Sequence, residues 1–305
     1  MTARHMLQLI FLGAIWGASF MFMRIAVPQL GPTWLLVIRL FSASIVLFLV
    51  SQWLRKPMQV KRHWKHYLFL GVFNTALPFF AFAYAAQMLP ASTLSILNST
   101  APLWGLVIGF VWRGKPVTGR AMLGLFLGMA GVASLVGLGG LKIESGAFLA
   151  VGFTLCAAVC YGLASSYAEF AEKVEPYANA QGSLWAATLL LLPLIPMAPM
   201  PEVWAPSAVA SALTIGLLCT GLAYLLYFHL IATAGAPAAL TVGYLIPLWG
   251  VFWGWLFLDE AIGLHTLLGA GLVLSGTMLV TGFSPRSILA YRRQRQLAKA
   301  AVSDL

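Results

Sequence analysis

Apolar residues fall in long unbroken runs separated by short polar or Pro/Gly turns, not in alternating pairs. Ten runs have the ~20 residues that a helix needs to cross the hydrocarbon core. They span roughly 6–26, 32–54, 64–87, 90–112, 119–139, 145–168, 177–200, 207–233, 236–257 and 263–283. Lipid offers backbone groups no water, so spanning segments are helices or closed barrels, and unbroken runs exclude the alternation of a barrel strand. Gly31-Pro32, Leu89-Pro90 and Gly235-Ala236-Pro237 read as turns. The first run follows Arg4 and extends from Met6 to Ala26. It exceeds the roughly 7–15-residue core of a signal peptide, so it is taken as the first membrane helix.

The pattern repeats at one offset of 145 positions. Pro247-Leu248-Trp249-Gly250 falls on Pro102-Leu103-Trp104-Gly105, and Gly254, Gly269, Gly276 and Gly282 fall on Gly109, Gly124, Gly131 and Gly137. Gly216 falls on Gly71, and Tyr161-Gly162 on Trp16-Gly17. A single register held across several helices is the signature of an internal duplication. The units expected are a five-helix repeat over 1–140, a second over 141–284 and a basic tail over 285–305. The fold class is all-α integral membrane.

Charge orients the chain. With the N-terminus inside, the inner loops receive Arg4; Arg55, Lys56, Lys61, Arg62 and Lys65; Arg113, Lys115 and Arg120; Lys173; and Arg286, Arg292, Arg293, Arg295 and Lys299. Only Lys142 falls outside, so both termini are expected in the cytoplasm. Five helices per copy is an odd number, so the second copy inserts upside down, with a pseudo-two-fold axis in the membrane plane. Hydrophobic residues make up 61% of the chain and charged residues 9%, against about 25% charge in soluble domains. The net charge of +10 therefore reflects inner loops and tail, not a nucleic-acid surface. The tail either lies on anionic headgroups or only fixes topology. Cys156, Cys160 and Cys219 lie inside apolar runs and read as small core residues.

Three kinds of residue could carry chemistry. A proline inside a helix frees the carbonyl four residues earlier, so Pro102 frees Asn98, Pro247 frees Gly243 and Pro78 frees Asn74. The Gly105-x-x-x-Gly109 and Gly250-x-x-x-Gly254 faces, with Gly124, Gly128, Gly131, Gly269 and Gly276, allow close helix contact, either as seams between the halves or as a dimer face. Aromatic rings are plentiful and suit an apolar ring with an ammonium group. The expected solute-binding set is Trp16, Asn74, Phe79, Tyr84, Asn98, Trp104, Tyr161, Tyr224, Tyr227, His229 and Tyr244.

Intramembrane charge selects the solute class. No carboxylate sits at mid-depth in the first five helices; Glu169, Glu172 and Glu175 cluster at one helix end, and Asp259 and Glu260 at another. Arg24 can snorkel outward. Arg39 faces the bundle or an inner cavity, with packing and functional roles both open. A neutral or zwitterionic solute with an apolar side chain fits best. No catalytic order of residues, metal-ligand spacing or phosphate loop is present, so neither enzyme nor cofactor is expected.

The duplicated five-helix unit, Ala14-Ile15-Trp16-Gly17-Ala18-Ser19-Phe20, Arg39, and Pro247 followed by Asp259-Glu260 and a Gly-rich final helix together resemble the EamA type of the drug/metabolite transporter superfamily. The resemblance covers nearly the whole chain. It implies a ten-helix exporter in a bacterial inner membrane, with a central cavity between inverted halves. In length and aromatic richness the chain is similar to the aromatic amino-acid exporters of that superfamily. One departure is that Asp259-Glu260 is matched by Gly114-Lys115 in the first copy. The expectation is alternating-access, facilitated export of an aromatic or bulky apolar amino acid by a monomer or weak dimer in contact with lipid. A drug or other metabolite exporter and a non-transporting membrane scaffold are the alternatives.

Overall fold

The computed structural model describes residues 3–137 and 146–282. The boundary between the two expected repeats, Lys142 and the basic tail lie outside the described residues. Among the described residues the chain is helical, with no strand, and nine helical stretches are long and apolar enough to cross a membrane.

Ten runs are expected from the sequence; the structure joins the first two into α1, Ala3–Trp53. Its 51 residues would reach ~75 Å as one straight rod, more than twice the ~30 Å hydrocarbon core. It is not one rod. Gly31 adopts φ 69°, ψ 166°, a region open to glycine alone, so two helical arms meet at Leu30-Gly31-Pro32.

The remaining helices are α2 Val60–Leu70, α3 Leu77–Ala85, α4 Ala91–Asn98, α5 Ala101–Arg113, α6 Gly119–Gly137, α7 Ala147–Ala168, α8 Pro176–Leu191, α9 Pro206–Gly216, α10 Ala223–Ala234, α11 Ala236–Leu240, α12 Val242–Leu258 and α13 Leu264–Thr281. Two π-helical turns, Gly71–Ala76 and Leu217–Leu222, join α2 to α3 and α9 to α10. They occupy nearly equivalent places in the two copies although only the first is followed by a proline, Pro78. Pro78 therefore does not by itself cause the widened turn.

The prolines differ from expectation in another way. The span Ala91–Arg113 breaks at Ser99-Thr100, which puts Pro102 in the first turn of α5, where its missing N–H would be unpaired anyway. In the second copy the break comes earlier, at Thr241, and Pro247 stays inside α12. The two prolines thus share a sequence position but not a structural role.

Glycines set the packing by letting backbones touch. A methyl group at Gly17 would lie 2.6 Å from the Trp249 Cβ and 2.9 Å from the Gly250 nitrogen. At Gly162 it would lie 2.7 Å from the Gly105 nitrogen and 2.9 Å from the Trp104 carbonyl carbon. These are one contact made twice, since Gly162, Trp104 and Gly105 are the 145-offset partners of Gly17, Trp249 and Gly250. The α6–α13 contact behaves alike: Gly124 meets the Gly276 carbonyl and Gly131 the Gly269 carbonyl. Residue i of one copy meets j of the other, and the partners of i and j meet in exchange, as in an isologous pair. These Gly124, Gly131, Gly269 and Gly276 surfaces are consumed inside the chain and are not a free dimer face.

Outward positions stay apolar: Phe110, Trp112, Phe126, Met129, Phe148, Trp255, Phe257 and Leu267 are exposed, as lipid contact requires. Cys160 and Cys219 are buried, whereas Cys156 lies on the exposed side of α7.

Candidate functional site

The site forms where the copies meet. Trp16 on α1 lies 5.3 Å from Tyr227 and 6.5 Å from Tyr224, both on α10. Tyr161 on α7 stacks 6.2 Å from Phe82 on α3. Trp16 and Tyr161 are offset partners, as are Tyr227 and Phe82, so these contacts too are exchanged between copies. Tyr224 is the offset partner of Phe79. Phe20 adds an edge contact to Phe82 at 5.5 Å, and Phe228 lies 6.0 Å from both Tyr224 and Tyr227. Trp16, Tyr161, Tyr224 and Tyr227 pack against the core yet keep accessible surface. Tyr161 and Tyr224 are also deeply surrounded by protein. These rings thus keep some accessible surface on the seam between the copies.

Arg39, from the second arm of α1, enters this cluster. It is only 7% exposed. Its guanidinium carbon lies 3.5 Å from the Phe79 ring centroid, a close cation–π arrangement. Its Nε donates to Thr220 Oγ1 at 3.2 Å, and that hydroxyl donates in turn to the Ile215 carbonyl at 3.0 Å. Tyr161, Tyr224 and Cys219 are its electrostatic neighbours. The π turn holds Thr220 in place, in keeping with the frequent use of such turns at functional positions.

Five of the expected solute-binding residues therefore come together: Trp16, Phe79, Tyr161, Tyr224 and Tyr227. The others are dispersed. Tyr84 packs on Phe153 at 4.5 Å. Trp104 lies against the Gly162 backbone. Tyr244 is hydrogen-bonded to Thr281 across α12 and α13. His229 is exposed on α10, unlike its offset partner Tyr84, which is half-buried. Asn74, in the first π turn, and Asn98, the last residue of α4, are half-buried. Phe82, Phe228, Thr220 and Arg39 complete the cluster and were not among the expected binders. Phe82 was legible as the offset partner of Tyr227, and Arg39 as a cation inside an apolar run. Thr220 carried no such signal, because a threonine hydroxyl in a helix usually bonds its own backbone.

The two ends of the bundle are held differently. At the basic end, Glu169 pairs with Arg113 at 3.0 Å and with Lys115. Glu172 pairs with Arg62 and approaches His63 Nδ1 at 3.6 Å, and Glu175 lies 3.7 Å from Lys56. Every one of these pairs joins the second copy to the first. At the opposite end Glu260, half-buried, accepts from Ala91 N at 2.5 Å, Ser92 N at 3.0 Å and Ser92 Oγ at 2.6 Å. It caps the start of α4, where a carboxylate meets unpaired N–H groups and the positive end of the helix dipole. Arg24 Nη1 donates to the Ala86 carbonyl at 2.8 Å at the end of α3, so it is anchored on the chain itself.

Comparison with known proteins agrees with this architecture. The EamA-like transporter family matches twice, over residues 4–137 and 147–282. "Uncharacterized transporter YoaV" of Bacillus subtilis (strain 168) is 27% identical over 288 residues, covering 93% of this chain and 99% of that one. The "Probable terminal-alkyne amino-acid exporter" of Streptantibioticus cattleyicolor is 25% identical over 290 residues, with 92% of each chain covered. A solved crystal structure with 16% identity superposes with TM-score 0.63 over 94% of this chain and 99% of that one, a likeness of fold. With two copies matched across nearly all its described length, the chain is a multi-pass membrane transporter and belongs to the EamA-like transporter family.

Proposed function

We propose that this transporter exports an amino acid with an aromatic or bulky apolar side chain across a bacterial inner membrane, by alternating access of two inverted five-helix halves. The observation that carries this reading is the exchanged ring contact, Trp16 with Tyr227 and Tyr161 with Phe82. It sets aromatic rings, three of them partly accessible, on the seam between the copies. Flat rings give contact area to an indole or phenyl group, and transporters of this plan bind solute at the repeat interface. The relative named "Probable terminal-alkyne amino-acid exporter" supports an amino acid as the solute.

Each arm of α1 crosses the bilayer in this reading, giving ten crossings, and exchanged contacts with an odd number per copy fit a two-fold axis in the membrane plane. The lysine and arginine bias puts the basic end and both termini in the cytoplasm. The ion pairs of Glu169, Glu172 and Glu175 then close the cytoplasmic side, and rocking must break them. The six described carboxylates lie at helix ends or in loops, so among the described residues no carboxylate sits beside the rings to carry a proton, and transport runs down the solute gradient.

Reconstitution in liposomes with labelled tryptophan, phenylalanine and threonine tests this. Tryptophan and phenylalanine should enter faster than into empty vesicles, and collapse of a proton gradient should leave the rate unchanged. Uptake of none of the three would sink the proposal, and a dye or drug moved instead would establish the alternative solute class.

A further inference from the structure

We infer that Arg39 is an anion anchor, and that the solute is a carboxylic acid held by this guanidinium while its side chain lies among the rings. The inference deepens the function proposed above and rests on the seam being the solute's path.

Among the described residues Arg39 is a buried cation without an anion. Arginine has five N–H donors. One, on Nε, is taken by Thr220 Oγ1. Among the described residues neither terminal nitrogen has a protein acceptor, and neither is among the fully enclosed unpaired atoms. Both nitrogens therefore keep access to open space. No described carboxylate comes within ion-pairing distance of Arg39, since every ion pair lies at the basic end and Glu260 is committed to α4. An isolated charge in a membrane interior is costly. The Phe79 face and nearby phenols offset part of that cost, yet four donors remain.

The equivalent position of the other copy carries no charge, since the offset partner of Arg39 is Leu184. Arg39 faces Gly216, whose built Cβ would lie 2.6 Å from the Arg39 carbonyl oxygen. Gly71, the offset partner of Gly216, makes the matching close approach to Ser183 and Ala187, with Leu184 where Arg39 stands in the first copy. The same crossing is thus built with leucine in one copy and arginine in the other. A guanidinium presents parallel N–H groups that match a carboxylate with two bonds. Phe79 beneath the plane and Thr220 on Nε fix its orientation. Tyr161 and Tyr224 beside it, with Trp16 and Tyr227, keep accessible surface for the apolar side chain, and a free amine is not needed for the anchor to act.

The test uses the full chain in lipid nanodiscs, with empty nanodiscs as reference. The probes are tryptophan and indole-3-acetate, which carry a carboxylate, and tryptophanamide and tryptamine, which do not. Wild type should bind the carboxylates about 10- to 100-fold more tightly, the range for hydrogen bonds to a charged group. Arg39→Leu should remove that difference while retaining weak binding of all four. Arg39→Lys should keep part of it, having charge without the planar fork. Unchanged gel-filtration profile and thermal midpoint would show that Arg39→Leu folds, as Leu184 leads one to expect. Should it not fold, Arg39→Lys and the wild-type probe series still decide. The anchor is overturned if wild type holds tryptamine as tightly as tryptophan and indole-3-acetate, if it binds neither carboxylate, or if Arg39→Leu still prefers the acids. Binding of carboxylates by Arg39 without any amino-acid transport would instead sink the proposed export and leave the anchor standing.

Discussion

Arg39 and Leu184 stand at equivalent points of the two copies, and so do Thr220 and Thr75. In one pairing the threonine hydroxyl accepts from a buried guanidinium at 3.2 Å. In the other, Thr75 Oγ1 is buried with no hydrogen-bond partner. At the seam the copies match more closely: Gly17 and Gly162 permit the same backbone approach, and Trp16 and Tyr161 each pack on a ring at the offset-equivalent position. Backbone seams and ring walls are thus duplicated, whereas charge is not. A duplicated seam requires small residues in both copies because each contact occurs twice. A buried charge is expensive, so the molecule carries it once, where it serves. Thr75 is what remains when the structural half of the motif persists without its chemical half.

This comparison can be broken at several points. The largest expected effect is at the seams. Gly17→Val and Gly162→Val should each destabilise the fold by about 1–3 kcal/mol through overpacking, and by similar amounts, because the two sites make one contact. Thermal unfolding in detergent measures both; a large cost at one and none at the other would break the equivalence. Next come the threonines. Thr220→Val removes a partner from a buried cation and should cost about 1–3 kcal/mol, whereas Thr75→Val removes an unpaired hydroxyl and should be neutral or stabilising. A loss at Thr75 equal to that at Thr220 would show that the copies do not differ there.

The two ends should also separate. Glu260→Ala removes the half-buried cap of α4 and should cost about 0.5–2 kcal/mol. Glu169→Gln weakens exposed ion pairs that are about 0.2–1 kcal/mol each, and its effect should fall with added salt. The last prediction is nearly all-or-none in readout. Glu169 and Lys115 are the offset partners of Arg24 and Glu260. If the halves rock, the Arg24–Glu260 contact should form when the Glu169–Lys115 pair opens. Cysteines at 115 and 169 should be joined by a bifunctional thiol reagent of about side-chain-pair length in the present state, and cysteines at 24 and 260 only after solute drives the other. Cross-linking of both pairs together, irrespective of solute, would contradict alternating ends.

Hydropathy alone located the long apolar stretches, nine of which are helical and long enough to cross a membrane among the described residues, because lipid accepts only segments whose backbone is paired internally. The 145-residue register located the small-residue faces and the alignment of Trp16 with Tyr161, but left the faces open between seam and dimer contact and paired no rings. That register also held the link between Phe82 and Tyr227, which counting rings without pairing them left unused. The tertiary structure decided the rest. It joined two expected spans through Gly31, where a dihedral only glycine adopts costs nothing visible in a hydropathy profile. It gave Pro102 and Pro247 different roles, because a helix break is set by what packs against it as well as by the ring. It turned His229 outward and Arg39 inward, since the direction of a side chain depends on the neighbouring helices. Above all, it set Arg39 against Thr220, residues 181 positions apart, a meeting that no local pattern encodes because it exists only where the two copies pack against each other.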